Sequence, residues 1–207
     1  MLFRSPFLLG INSVPVPDGE RLLVRVTDQK LKLETPADIG MSEETRVKLR
    51  DLCGGPGVVL VCGATGSGTT TTLFAVVRNV DAYIFNVFTL GDLGARKLNH
   101  VTAFEANAGD DFATTLTRAI RKEANVLLCD PMKTAETAKA AFSKSEEVLV
   151  LAEIPGKDTP SALLQLIAWL GNPQLLGSGL RAIVTQKLIR LLCPDCRQTY
   201  RAKPEFL

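Results

Sequence analysis

Three observations predict an α/β domain with a mostly parallel sheet covered by helices on both faces. Apolar β-like runs recur near residues 58–62, 83–90, 101–106, 125–129 and 147–152. Helical patterns fit between them, at about 70–79, 110–122, 134–143 and 158–170, and strict alternation of this kind is how parallel sheets are built. With 46% hydrophobic residues over 207 positions, the chain can bury a sizeable core in one full domain.

The elements follow in order. Residues 1–6 have an apolar flavour, but the apolar run before Gly10 is too short for a signal peptide, so export is not expected. After the turn signal Pro15-Val-Pro17-Asp-Gly, the stretch from Gly19 to Val26 alternates partly between apolar and charged residues and predicts an exposed or edge strand. Residues 34–38 form a connector. Ser42, followed by Glu43 and Glu44, has the N-cap and acidic first turn of a helix that runs to about Leu52, where Gly54-Gly-Pro-Gly57 stops it. No internal repeat or low-complexity segment interrupts the pattern.

Composition excludes several classes. A net charge of +2, from 24 basic and 22 acidic residues, makes no strong field for nucleic acid or acidic membranes. No apolar run approaches the roughly 18 residues that a membrane span needs. The basic groups Arg118, Arg121 and Lys122, and Arg181, Lys187, Arg190 and Arg197, lack the interleaved aromatics of a single-strand stacking platform. Of five cysteines, Cys62 and Cys129 end short apolar runs, where a reduced thiol acts as a small core residue, and this favours a cytoplasmic location.

The most informative stretch runs from Val58 to Phe74, from an apolar strand through a glycine loop into a helix. Gly63, Gly66 and Gly68 allow backbone amides to close around phosphate oxygens at a helix N-terminus. The phosphate-loop pattern G-x-x-x-x-G-K-[ST] falls on Gly63, Ala64, Thr65, Gly66, Ser67, Gly68, Thr69 and Thr70, with Thr71 next in the helix. Thr69 stands where lysine belongs. It supplies no ammonium for the β and γ phosphates, and a hydrogen bond to a charged group is worth roughly 1.5 to 3 kcal/mol. Binding of ATP or ADP is therefore expected to be weakened and transition-state stabilisation to suffer more. Thr70 still offers a hydroxyl for Mg²⁺.

From Gly63 to Ala75 the chain resembles the Walker A segment of the type II secretion and type IV pilus assembly ATPases (the GspE/PulE group), which reads GPTGSGKTTTLYA. Gly171-Asn-Pro, and the segment from Gly179 to Cys196, resemble the part of that family ending in QRLVRxLCPxC, and Glu136-Thr-Ala138 and Pro160-Ser-Ala162 match smaller landmarks. The resemblance implies that residues 36–207 form a P-loop (RecA-like) NTPase domain ending in half of a CxxC metal-binding motif. Residues 1–35 are then the end of an N-terminal domain and a linker, and the chain is expected to be a fragment. Arg25 matches an arginine that, in the family, approaches the nucleotide phosphates.

The departures from the family pattern are chemical. The aspartate box TIEDPxE keeps Asp92 but has Gly91 and Ala95 in place of its glutamates. The GEIRDxETA box, anchored on Glu136, places Pro131 at its glutamate, with Asp130 one residue away. The STLHTNDA box aligns with residues 152–159 and puts Pro155 at its histidine; the only histidine, His100, reads as a surface residue. Asp92 and Asp130 remain weak catalytic candidates. Phosphoryl transfer depends almost wholly on positioned charge. Coincident loss of lysine, glutamate and histidine therefore implies a degenerate ATPase, a scaffold or regulatory subunit. The alternative is an active or nucleotide-sensing ATPase driving pseudopilin or pilin assembly. Cys193 and Cys196 supply half a zinc site, and zinc is expected only if a second CxxC is provided, because a closed structural site takes four ligands. The resemblance further implies a homo-oligomeric ring or a hetero-oligomer with an active motor ATPase, docked to inner-membrane platform proteins, without nucleic acid.

Overall fold

A computed structural model describes residues 7–28, 33–81, 83–91, 98, 100–129, 132–193 and 195–198, with Thr27 by its backbone only. Two strands, β1 (Phe7–Val16) and β2 (Gly19–Asp28), pair antiparallel from Phe7↔Asp28 to Val16↔Gly19. The turn between them falls at the Pro17-Asp18 signal. The expected edge strand is therefore one half of a ribbon, and β1, interrupted by Gly10 and Pro15, was not legible as a strand.

The rest is a three-layer α/β unit. In order come α1 (Glu43–Leu52), β3 (Gly57–Cys62), α2 (Thr69–Asn79), β4 (Val87–Leu90), β5 (Val101–Phe104), α3 (Phe112–Arg121) and β6 (Val126–Cys129). They continue as α4 (Ala135–Ser143), β7 (Leu149–Glu153), α5 (Thr159–Leu170), α6 (Pro173–Gly179) and β8 (Leu180–Thr185). Six strands form one sheet in the order β5-β4-β6-β7-β3-β8, with every neighbouring pair parallel.

Side-chain alternation divides the core. Val58, Leu60 and Cys62 of β3 face Leu116, Phe142, Leu166 and Leu176 of α3 to α6. Val59 and Val61 face Leu49 of α1 and Leu73, Val76 and Val77 of α2. All six residues of β3 are buried, as a central strand covered on both faces must be. The cap expected from sequence is present, the Ser42 side chain accepting from the Thr45 amide at α1, and the structure adds two not read from sequence: Thr134 forms a capping box at α4, and Asp158 forms another at α5.

Two expected boundaries move. The run at 83–90 becomes a strand only from Val87, because the Asp81 carboxylate accepts from the Tyr83 amide and its carbonyl from the Ile84 and Phe85 amides, which folds 81–85 into a turn. The expected 101–106 strand ends at Phe104. Besides β1, two elements went unread: α6, whose two glycines mask its helicity, and β8, which closes the sheet on the far side of β3.

Candidate functional site

Because the sheet is parallel, the C-terminal ends of its strands open along one rim, the place where α/β sheets bind ligands. The glycine loop leaves β3 at this rim. Gly66 and Gly68 take positive φ values of 78° and 88°, which only glycine adopts freely, and the Ser67 amide donates to the Ala64 carbonyl at 2.9 Å to close the turn. Gly68 is the N-cap of α2, and the Thr72 amide donates to its carbonyl at 2.9 Å.

This cap differs from the others. A side chain caps α1, α3, α4, α5 and α6, from Ser42, Asp111, Thr134, Asp158 and Asn172, whereas none caps α2. The N-terminus of α2, at the positive end of the helix dipole, thus has no side-chain cap from its N-cap residue. Beside this end, Ser67 is buried and its Oγ has no hydrogen-bond partner among the described residues. An unmet donor group under an uncapped helix end suits an anion with several acceptor oxygens. The loop residues present the same picture: Ala64, Thr65 and Gly66 are exposed, and Gly63, Gly68, Thr69, Thr70 and Thr71 are half-buried.

Neighbouring segments close on the loop. Gly63 forms a β-bridge with Gly156, just past β7, so Pro155, at the position of the family's histidine, does border the loop and is exposed. On the other side, the Gln186 amide donates to the Cys62 carbonyl at 2.8 Å, and the Leu188 side chain lies over Gly68. A Cβ on Gly63 would collide with the Gln186 carbonyl oxygen and with Ser67 Oγ, which is why this position is glycine despite its ordinary φ.

The other sequence candidates are dispersed. Arg25 lies exposed on β2, paired across the ribbon with Gly10, and no hydrogen bond or ion pair joins it to the loop among the described residues. Asp92, Asp130, Pro131 and Ala95 fall outside the described residues. Cys193 and Cys196 are exposed in the tail after β8, and the backbone amides of Cys196 and Asp195 hold the Cys193 thiol below its usual pKa. Among the described residues no third His, Cys, Asp or Glu joins them to make a metal cluster. Cys62 and Cys129 are buried at strand ends, and burial pushes the Cys129 thiol up to about 12, so it is an inert core residue at neutral pH. His100 is exposed, its ring 5.1 Å from that of Tyr83. Arg118 is held by Asp110 and lies over the Phe104 ring, so it is not an open basic site.

A cavity of about 690 Å³ opens over the ends of β4, β5 and β6, lined by Leu90, Phe104, Phe112, Cys129 and Met132, with Asp110 at its edge. Its largely apolar lining, with Glu105 and Asp110 as the charged groups, does not suit phosphate, whereas the loop has the donors. Sequence reasoning placed Ser67 in the loop but overlooked two residues beside it: Gln186, whose amide donates to the Cys62 carbonyl, and Glu153, the last residue of β7. The sequence shows only that the apolar run 149–152 ends in a carboxylate, and nothing in that run ties it to the loop.

Comparison with known proteins agrees with this frame. The model of the family described as "Type II/IV secretion system protein" matches residues 4–206. The type II secretion system protein HxcR of Pseudomonas aeruginosa is 34% identical over 199 residues, which cover 93% of this chain and 42% of that protein. The chain thus spans about two-fifths of that relative's length. Among solved structures, the Legionella pneumophila ATPase DotB superposes with a TM-score of 0.62 at 17% identity, covering 88% of this chain and 54% of that one. The pilus retraction motor PilT with bound ADP also gives 0.62, at 19% identity over 87% of this chain and 59% of that one. No described helix is long and apolar enough to cross a membrane. The fold is that of the P-loop secretion ATPases, and the chain belongs to the type II/IV secretion system protein family.

Proposed function

We propose that this chain is a motor-ATPase-like subunit of a type II secretion or type IV pilus system that keeps a phosphate cradle but has lost turnover. In this reading it acts as a pseudo-ATPase, a scaffold or regulatory subunit on the cytoplasmic side of the inner membrane, assembled with itself or with an active motor ATPase. Residues 36–207 carry this role, and residues 1–35 are the remnant of a preceding domain. The observation that carries the reading is the uncapped N-terminus of α2 with the orphaned Ser67 hydroxyl, set beside a threonine at position 69. Amide donors favour an anion without needing the lysine, but transferring phosphoryl charge needs the cation as well. PilT, a protein of this fold, was solved with ADP bound, and ADP or ATP with Mg²⁺ is the ligand proposed for this cradle.

Calorimetric titration with ATP and Mg²⁺, paired with phosphate release, tests the proposal. Wild type is expected to bind weakly and release no phosphate above a boiled control. Thr69→Lys should tighten binding by about 10- to 150-fold, the equivalent of one charge-assisted hydrogen bond. Robust turnover by wild type would sink the degenerate reading and favour an active ATPase.

A further inference from the structure

We propose that Glu153 is the acid of the glycine-loop site: its carboxylate, with the Thr70 hydroxyl, anchors the Mg²⁺ that accompanies a nucleotide's phosphates. This rests on the reading that the loop holds phosphate, and adds to it which residue binds the cation and how binding depends on it.

Sheet order brings Glu153 to the loop. β7 lies between β3, which carries the loop, and β6. Glu153 pairs with Val61, two residues before Gly63, and neighbouring strands stand about 4.8 Å apart. The backbone is pinned on both sides: the Ile154 amide donates to the Val61 carbonyl at 3.0 Å, and the Met132 amide to the Glu153 carbonyl at 2.9 Å. The carboxylate therefore starts from a fixed point on the rim rather than from a loose loop.

Alternation gives its direction. Along β7, Leu149 and Leu151 face the layer of α1 and α2, whereas Val150, Ala152 and Ile154 face the opposite layer. Glu153 continues the first set, so its side chain leaves the sheet on the face covered by α2, whose N-terminus is the end of the glycine loop. Its Oε1 is shut off from solvent. Among the residues of β3, β6 and β7, all otherwise apolar or cysteine, Glu153 is the single acid.

Charge then fixes the chemistry. With Thr69 in place of lysine, the site has no cation on the loop to balance phosphate. A half-buried carboxylate beside phosphate oxygens repels them, unless a divalent ion sits between the two and converts repulsion into a bridge. Mg²⁺ is held in this way, by one or two carboxylates together with substrate phosphates and a hydroxyl. Binding of nucleotide to this chain should accordingly depend on Mg²⁺ more steeply than amide donors alone would make it.

The test is ADP affinity, measured calorimetrically on the full chain in EDTA and in excess Mg²⁺. Wild type is expected to bind ADP about tenfold or more tightly with Mg²⁺, the worth of one charge-assisted contact. Glu153→Gln should reduce that enhancement to near unity and should bind ADP in EDTA at least as well as wild type, since a repelling charge is gone. Glu153→Asp, with a shorter reach, should keep part of the enhancement, and it carries the test if the glutamine variant fails to melt cooperatively. A Glu153→Gln chain that keeps the wild-type Mg²⁺ enhancement, or that loses affinity equally in both conditions, overturns the assignment. Wild type that binds ADP without regard to Mg²⁺ overturns it while leaving the phosphate cradle intact. Wild type that binds ADP in neither condition overturns the cradle itself, and the assignment with it.

Discussion

Gly63 and Gly66 stand three residues apart in the same loop and are glycine for different reasons. At Gly63 the added Cβ meets the Gln186 backbone carbonyl and Ser67 Oγ, neither of which can swing away as the end of a long side chain would. At Gly66 there is open space within 4 Å, and the constraint is the φ of 78°. Gly63→Ala should therefore cost about 1 to 3 kcal/mol as overpacking, and should pry the tail at Gln186 off the loop. Gly66→Ala should cost about 1 to 2 kcal/mol, as backbone strain, and leave the tail in place. Urea denaturation gives the stabilities, and protection of the Gln186 amide from hydrogen exchange separates the two causes; equal protection in both variants would contradict the overpacking account. The glycine spacing was legible in the sequence, as was the missing ammonium at Thr69, because both are properties of a contiguous motif. Glu153 was not. Motif reading looks for a lost group at its own position, whereas a carboxylate on β7 becomes a neighbour of the loop only through the order of strands.

At the scale of elements, the caps show how far local chemistry goes. Asp158 accepts from the Ser161 amide at 2.9 Å, while the Ser161 hydroxyl donates to the Asp158 carbonyl, a reciprocal arrangement that starts α5 beside the loop. The Ser161 side chain and amide hold the Asp158 carboxyl below the usual carboxylate range. A depressed folded-state pKa means that the ionised cap stabilises the fold above the unfolded value, near pH 4, and that this contribution is lost as pH falls through the folded value. Asp158→Asn keeps an acceptor but removes the titration. In urea denaturation across pH 2 to 7, wild type should lead the variant by a constant margin above about pH 5, and the margin should shrink as the solution is acidified below about pH 4. Parallel curves would show that the charge contributes nothing. Such a cap made the start of α1 readable at Ser42, whereas α4 and α5 were read from their helical patterns, and their caps at Thr134 and Asp158 emerge in the structure. The elements missed had weaker local signals: α6 contains Gly177 and Gly179, and β8 runs without a break into the apolar and basic stretch after Thr185.

Considered as a whole molecule, the chain is two bodies of unequal self-sufficiency. The α/β unit has two buried apolar layers, whereas β1 and β2 pack chiefly on each other. One face of that ribbon presents Phe7, Leu9, Ile11, Leu22, Val24 and Val26, each about half or more exposed. A two-stranded ribbon is marginally stable alone in water, and an apolar face of this size is ordinarily covered. The sequence disclosed the alternation of β2 but not this isolation, because burial depends on what the rest of the fold does. If the ribbon adds nothing to the α/β unit, brief trypsin treatment should cut first at Arg21 and Arg25 and at Lys187 and Arg190 in the exposed tail. Scission at Arg21 or Arg25 alone should leave a core with an unchanged melting temperature, since among the described residues no buried residue lies before Pro36. A core that melts several degrees lower after that cut, or a ribbon as resistant as α2, would mean that the apolar face is covered by the same molecule, and residues 1–35 would then belong to the folding unit rather than to a separate remnant.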